Sequence, residues 1–158
     1  MSGTGASRAS RPRVLRAEDP GLRAAAGRAF FDTNVVLYLL SADTAKADRA
    51  ESLLAAGGVV SVQVLNEFAA VALRKIALDW PAIEEVIGTL RSVCEVRSLT
   101  VDTHDRGLRL ARRHQLSVYD AMIAASALEA GCDTLWTEDL HDGLLIDGMV
   151  RVRNPLAD

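Results

Sequence analysis

Four carboxylates stand at breaks in the hydrophobic pattern of this chain: Asp32, Glu67, Asp120 and Asp139. Each closes an apolar run or opens a helix-like one. Three have a small polar companion: Thr33 and Asn34 follow Asp32, Asn66 precedes Glu67, and Thr137 lies two residues before Asp139. Carboxylates brought close together repel one another, so a cluster persists only when it is protonated or filled by cations. The chemistry open to such a set is the binding of a hard divalent ion that keeps positions free for water and phosphate. Each acid also has a structural role available. Asp32 suits a turn or a helix N-cap. Glu67 suits a solvated position beside Arg74. Asp120 suits a capping box with Ser117. Asp139 sits in an acidic loop with Glu138 and Asp142, and Asp142 is the alternative fourth acid.

The elements that must position these acids are readable from apolar periodicity. Ala29–Phe31 reads as a short strand, 35–40 as a short helix, and 45–56 as a second helix running up to Gly57 and Gly58. Residues 59–62 read as a strand, and 63–77 as a helix with Leu65, Phe68, Ala72 and Ile76 on one face. Pro81 suits the first turn of a helix over 81–92. Residues 94–99 alternate as a strand does, 102–115 form a helix, and 118–130 form another, closed by Gly131. Residues 134–137 read as a strand, and 149–154 as an edge strand before Pro155. This alternation predicts a three-layer α/β/α sandwich around a mainly parallel sheet. Ligands of such sheets bind beyond the carboxyl ends of the strands, and all four acids fall near that rim. At about 100° per residue, Asp120 shares a helix face with Ile123, Ala124 and Ala127, while Glu129 points the opposite way. If Glu129 marks the wet side, Asp120 faces inward.

Composition bounds the remaining possibilities. A chain of 158 residues with 49% hydrophobic content suits one domain. It has no apolar run of about 18 residues, so no membrane span is expected. The N-terminus lacks the apolar segment of a secretory signal. Cys94 and Cys132 lack CxxC spacing and suit buried thiols in a reducing, cytoplasmic setting. Residues 1–28 hold six arginines against Glu18 and Asp19, a net charge of +4, which leaves −7 for 29–158. The first 28 residues therefore read as a flexible basic extension of a domain spanning 29–158, open to contact with RNA or a partner. An acidic body needs local arginines or metal ions to hold a polyanion. Arg106, Arg109 and Arg113, with Arg112 nearby, form a stripe that suits either solvent or a phosphate backbone. His104, His114 and His141 lack zinc spacing, and His104 reads as packed with Leu108 and Ala111. No P-loop or GxSxG motif is present. Thr137 suits a helix N-cap or a contact to a metal-bound water.

Taken in order, Asp32-Thr33-Asn34, Asn66-Glu67, Tyr119-Asp120-Ala121 with its apolar helix, Gly131-Cys132-Asp133 and Thr137-Glu138-Asp139 resemble the PIN-domain ribonucleases. The set is most similar to the VapC-type toxins of bacterial toxin–antitoxin pairs, over residues 29–156. The resemblance implies a magnesium- or manganese-dependent endoribonuclease that leaves a 5′-phosphate and a 3′-hydroxyl. The family's four acids match Asp32, Glu67, Asp120 and Asp139. Asp32 and Asp120 are expected as central ligands, with Glu67 and Asp139 serving a second ion or a water. The resemblance also implies an RNA substrate, an antitoxin that covers the site, and a homodimer. Three alternatives stand beside it. One is a PIN-like binding module without significant cleavage, and another is a nuclease of RNA processing or of DNA. The third is a phosphatase of the haloacid dehalogenase type, whose DxD pattern meets Asn34 here instead of a second aspartate.

Overall fold

A computed structural model describes residues 27–157. The predicted extension falls almost wholly on residues 1–26, outside the described part. Among the described residues six strands form one sheet: β1 (Ala29–Phe31), β2 (Gly58–Ser61), β3 (Cys94–Arg97), β4 (Thr134–Trp136), β5 (Leu145–Ile146) and β6 (Val150–Arg153). Their order is β3-β2-β1-β4-β6-β5. The first four pairings are parallel, and β5 runs antiparallel to β6. Parallel neighbours need crossovers, which the helices supply. These are α1 (Thr33–Leu37, continued by a 3-10 turn over Tyr38–Leu40), α2 (Thr44–Ala55), α3 (Val62–Arg74), α4 (Trp80–Val93), α5 (Val101–His114) and α6 (Val118–Glu129). The central strands bury both faces: Phe30, Phe31, Val59, Val60 and Leu135 are all inaccessible to solvent. A strand buried on both faces reads as a continuous apolar run, as these do. The expected α/β/α architecture and mainly parallel sheet are present.

Local chemistry sets the ends of the helices. Asp43 caps α2 by accepting from the Ala45 and Lys46 amides, and Asp79 caps α4 by accepting from Ala82, with Pro81 in the first turn. Gly131 adopts φ +68° just beyond α6, a left-handed conformation that glycine reaches without steric cost. Helix α6 is buried along its whole middle, from Ala121 to Leu128. It lies against α5 and reaches β2, β4 and β6. Gly107 permits the close approach of α5, because a Cβ there would stand 2.5 Å from Met122 Sδ.

Three sequence readings need correction. Strand β6 is not the edge. It lies between β4 and the short β5, and a turn with positive φ at Asp147 and Gly148, closed by Met149 N–H to the Ile146 carbonyl at 3.0 Å, joins it to β5. The buried line of α3 is Val64, Phe68 and Ala72. Leu65 is half-buried, and Ile76 is exposed beyond the helix end. Strand β2 passes directly into α3, which fixes the rotation of that helix. The buried face of α5 is Thr103, Gly107 and Leu110, while His104 and Leu108 are exposed. Small residues bring α5 against α6, so close packing outweighs side-chain hydrophobicity in choosing this face. The arginine stripe is divided in consequence: Arg106 is half-buried, and Arg113 pairs with Asp147 at 2.5 Å. Cys94 and Cys132 are buried as expected, and no disulfide joins them. No helix of the described residues is long and apolar enough to cross a membrane.

Candidate metal centre

Strand β1 turns straight into α1, and Asp32 is the hinge between them. It is extended (φ −73°, ψ 163°) and is the N-cap of α1, accepting from the Thr33 amide at 2.7 Å. Its second oxygen accepts from the Thr137 hydroxyl at 2.7 Å. The helix cap and a place in the acid cluster therefore coexist in one side chain. Thr137 follows β4 and is fully buried. Its hydroxyl also accepts from the Asp139 amide at 3.1 Å and from Asn34 Nδ2 at 3.3 Å. One donation and two acceptances use its full capacity. Asn34 reaches on to Asp139 Oδ2 at 3.1 Å. A single threonine thus ties the carboxyl ends of β1 and β4 together.

The other two acids arrive on helices. Asp120 lies in the first turn of α6, where Ser117 Oγ accepts its amide at 3.2 Å. Glu67 projects from α3 and accepts from Thr33 Oγ1 at 2.6 Å and from Gln63 Nε2 at 2.9 Å. The inward reading of Asp120 holds in part, since the residue is half-buried. Its warrant changes, however: Glu129 is itself half-buried and accepts from the Thr103 hydroxyl at 2.8 Å, so it marks no wet side.

One carboxylate oxygen each from Asp32, Asp120 and Asp139 lies within 4.8 Å of the others. Glu67 falls outside this trio but is one hydrogen bond from Thr33, the residue next to Asp32. Asp142 also lies outside it, and its carboxylate accepts from the Asn154 amide at 2.8 Å, closing the loop between β4 and β6.

Electrostatics make the cluster costly when it is empty. Asp32 is only 5% exposed. Its carboxyl is pushed up to about 6, chiefly by burial and further by the charges of Asp139 and Asp120, against the hydrogen bonds from Thr137 and Thr33. Asp120 is raised too, first by burial and then by Asp139 and Glu67, against its bond with Ser117. Among the described residues no ion pair involves any of the four acids. Close carboxylates with no counter-charge favour a cation in their midst. The donors in the trio are oxygens alone, without histidine or cysteine, which suits a hard ion of the magnesium or manganese type over zinc. Asn34 Oδ1 is buried beside the trio without a hydrogen-bond partner, an acceptor suited to an ion-bound water.

Four residues of this arrangement were not assigned these roles from sequence: Thr33 as a donor to Glu67, Asn34 as a donor to Asp139, Gln63 as the brace of Glu67, and Thr137 as the hub. The i, i+4 spacing of Gln63 and Glu67 on one helix carried a signal. So did the placement of Thr137 two residues before Asp139.

The described residues match the family model for the PIN domain over 29–141, which encloses all four acids. No curated protein sequence matches the chain. Several solved structures share its fold. A toxin–antitoxin complex from Klebsiella pneumoniae aligns with a TM-score of 0.63 at 23% identity, covering 82% of this chain and 99% of that one. VapC20 of Mycobacterium tuberculosis, a toxin that cleaves the sarcin–ricin loop, aligns at 0.54 and 21% identity, covering 68% and 86%. VapBC2 of Rickettsia felis, bound to a DNA fragment from its promoter, aligns at 0.58 and 17% identity, covering 80% and 97%. The family match extends over more than half of the chain and the structural likeness agrees with it, so this protein belongs to the PIN domain family and has the fold of VapC-type toxins.

Proposed function

We propose that the protein is a metal-dependent endoribonuclease and the toxin of a toxin–antitoxin pair. The observation that carries the reading is the convergence of Asp32, Asp120 and Asp139 within 4.8 Å, with no ion pair to any of them among the described residues. These three would hold the ion, and Glu67, braced by Thr33 and Gln63, would orient a water or serve a second ion. A bound magnesium or manganese ion supplies Lewis-acid activation of the phosphate and a water of lowered pKa.

The chain supplies the positioning. Both Asp32 oxygens are anchored, one by the Thr33 amide and one by Thr137, and each keeps a lone pair for further coordination. Asn34 fixes Asp139 on the same side. The acids sit where β1 and β4 end, so the scissile phosphate would approach the carboxyl rim of the sheet. Direct attack by water is the expected route, and the resemblance to the PIN-domain ribonucleases implies a 5′-phosphate and a 3′-hydroxyl at the cut. The likeness to toxin–antitoxin complexes supports an antitoxin as the protein partner, and homodimerisation belongs to the same reading. The test is cleavage of structured RNA by purified protein with and without magnesium, in the native chain and in Asp32→Asn. Magnesium-dependent cuts by the native chain alone are expected. Equal activity in the two proteins would sink the proposal.

A further inference from the structure

The acid site leaves unexplained a bare aromatic side chain next to one of its members. Tyr119 is 72% exposed and immediately precedes Asp120 in the first turn of α6. Its carbonyl accepts from Gln63 Nε2 at 3.2 Å, and the same amide donates to Glu67 Oε1 at 2.9 Å. One side chain thus ties the Tyr119 backbone to a carboxylate of the proposed site. Val118 and Val62, the sequence neighbours of Tyr119 and Gln63, are also exposed.

A polyanion meets two obstacles here. The site is acidic, and residues 27–157 carry 13 Lys and Arg against 18 Asp and Glu, a net of −5. Charge attraction alone therefore does not gather a nucleic acid onto this body. An aromatic face does not share that handicap. Stacking on a base is indifferent to the sign of the surrounding field and accepts any base, because every base has a π-face. A tyrosine presents that face on a side chain with few rotatable bonds.

We infer that the Tyr119 ring is a stacking platform for a base adjacent to the scissile phosphate, and so a substrate-binding residue. The inference rests on the RNA-cleaving reading above and names the contact through which that site gathers its substrate. A base is favoured over a protein surface as the occupant because the ring is carried by a backbone position that adjoins Asp120 and is tied, through Gln63, to Glu67. A nucleotide whose phosphate lies at those acids has its base within reach of the rim.

The test measures binding by the full chain with calcium in place of magnesium. The probes are a short oligoadenylate and a ribose-phosphate chain of the same length lacking bases, and sedimentation is run in parallel. Tyr119→Ala is expected to weaken oligoadenylate binding about tenfold, with Tyr119→Phe within about twofold of the native chain. The base-free chain is expected to bind all three proteins equally, and the Tyr119→Ala ratio to be the same at low and high salt. Unchanged oligoadenylate binding by Tyr119→Ala would overturn the inference. So would an equal loss on both probes, or a change confined to the sedimenting species, which would make the ring a protein contact. Magnesium-dependent cleavage by the native chain separates the two levels. Cleavage with no Tyr119 effect overturns this inference alone. A native chain that neither cleaves nor binds RNA overturns the nuclease reading beneath it.

Discussion

Replacing Asp32 by Asn is expected to stabilise the metal-free protein near neutral pH while abolishing its activity. The carboxyl is 5% exposed and pushed from 3.8 up to about 6, first by burial and then by the charges of Asp139 and Asp120. A folded-state value above the unfolded one means that folding favours the protonated acid. Its contribution is fully present below about pH 4 and is lost as pH rises through about 6. At about 1.4 kcal/mol for each tenfold change in the proton equilibrium, the loss is about 3 kcal/mol. Asparagine carries no charge and lacks this slope, but it satisfies only one of the two donors now held by Asp32, at a cost of about 1 kcal/mol. The variant should therefore gain about 2 kcal/mol near pH 7 and lose about 1 kcal/mol near pH 4, relative to the native chain. For a chain of this size, 2 kcal/mol is a rise in Tm of about 4 to 8 °C. Thermal or urea unfolding in EDTA across that pH range reads the effect. The same slope in both proteins, or a variant less stable near pH 7, would refute the reasoning from buried charge.

Thr137→Val keeps the shape of the hub but removes one donor and one acceptor, leaving Asp32 unanchored on one oxygen; cleavage should fall by at least about tenfold, with Thr137→Ser retaining most activity. Asp142→Ala should lower stability by about 1 kcal/mol through its lost bond to Asn154, while activity per folded molecule stays at the native level; a loss as deep as that of Asp139→Ala would transfer the fourth-acid role to Asp142. Arg113→Ala breaks a pair whose arginine is largely exposed, so denaturant titration should register less than about 1 kcal/mol.

Asp32 and Asp139 were legible because each follows a strand, and Asp120 because it opens a helix; Glu67, read as opening its helix, lies inside α3. In a parallel sheet all such ends on one side share a rim, so chain order alone brings Asp32, Asp120 and Asp139 into proximity. The closeness of these three, and the position of Glu67 one step behind Thr33, depend on side-chain reach that no periodicity encodes. Thr137 illustrates the limit. A threonine after a strand is commonplace in sequence, and its role as a hub exists only once β1 and β4 are neighbours. Sequence put Asp139 ahead of Asp142 in one acidic loop but kept Asp142 as the alternative. The fold separates them by giving Asp142 a backbone amide to hold. The missed β5 did leave a trace, since Asp147-Gly148 is a dipeptide that favours tight turns with positive φ. Two residues of strand are too few to show alternation. The face of α5 was misread because hydrophobicity pointed to Leu108, whereas close packing selected Gly107.

The most direct test of the central claim is an anomalous difference map from crystals of the full chain grown with manganese. A peak coordinated by Asp32, Asp120 and Asp139 together is expected, and it should disappear in Asp120→Asn. A map without a peak there at saturating manganese, or with manganese bound only at Asp142, would contradict it.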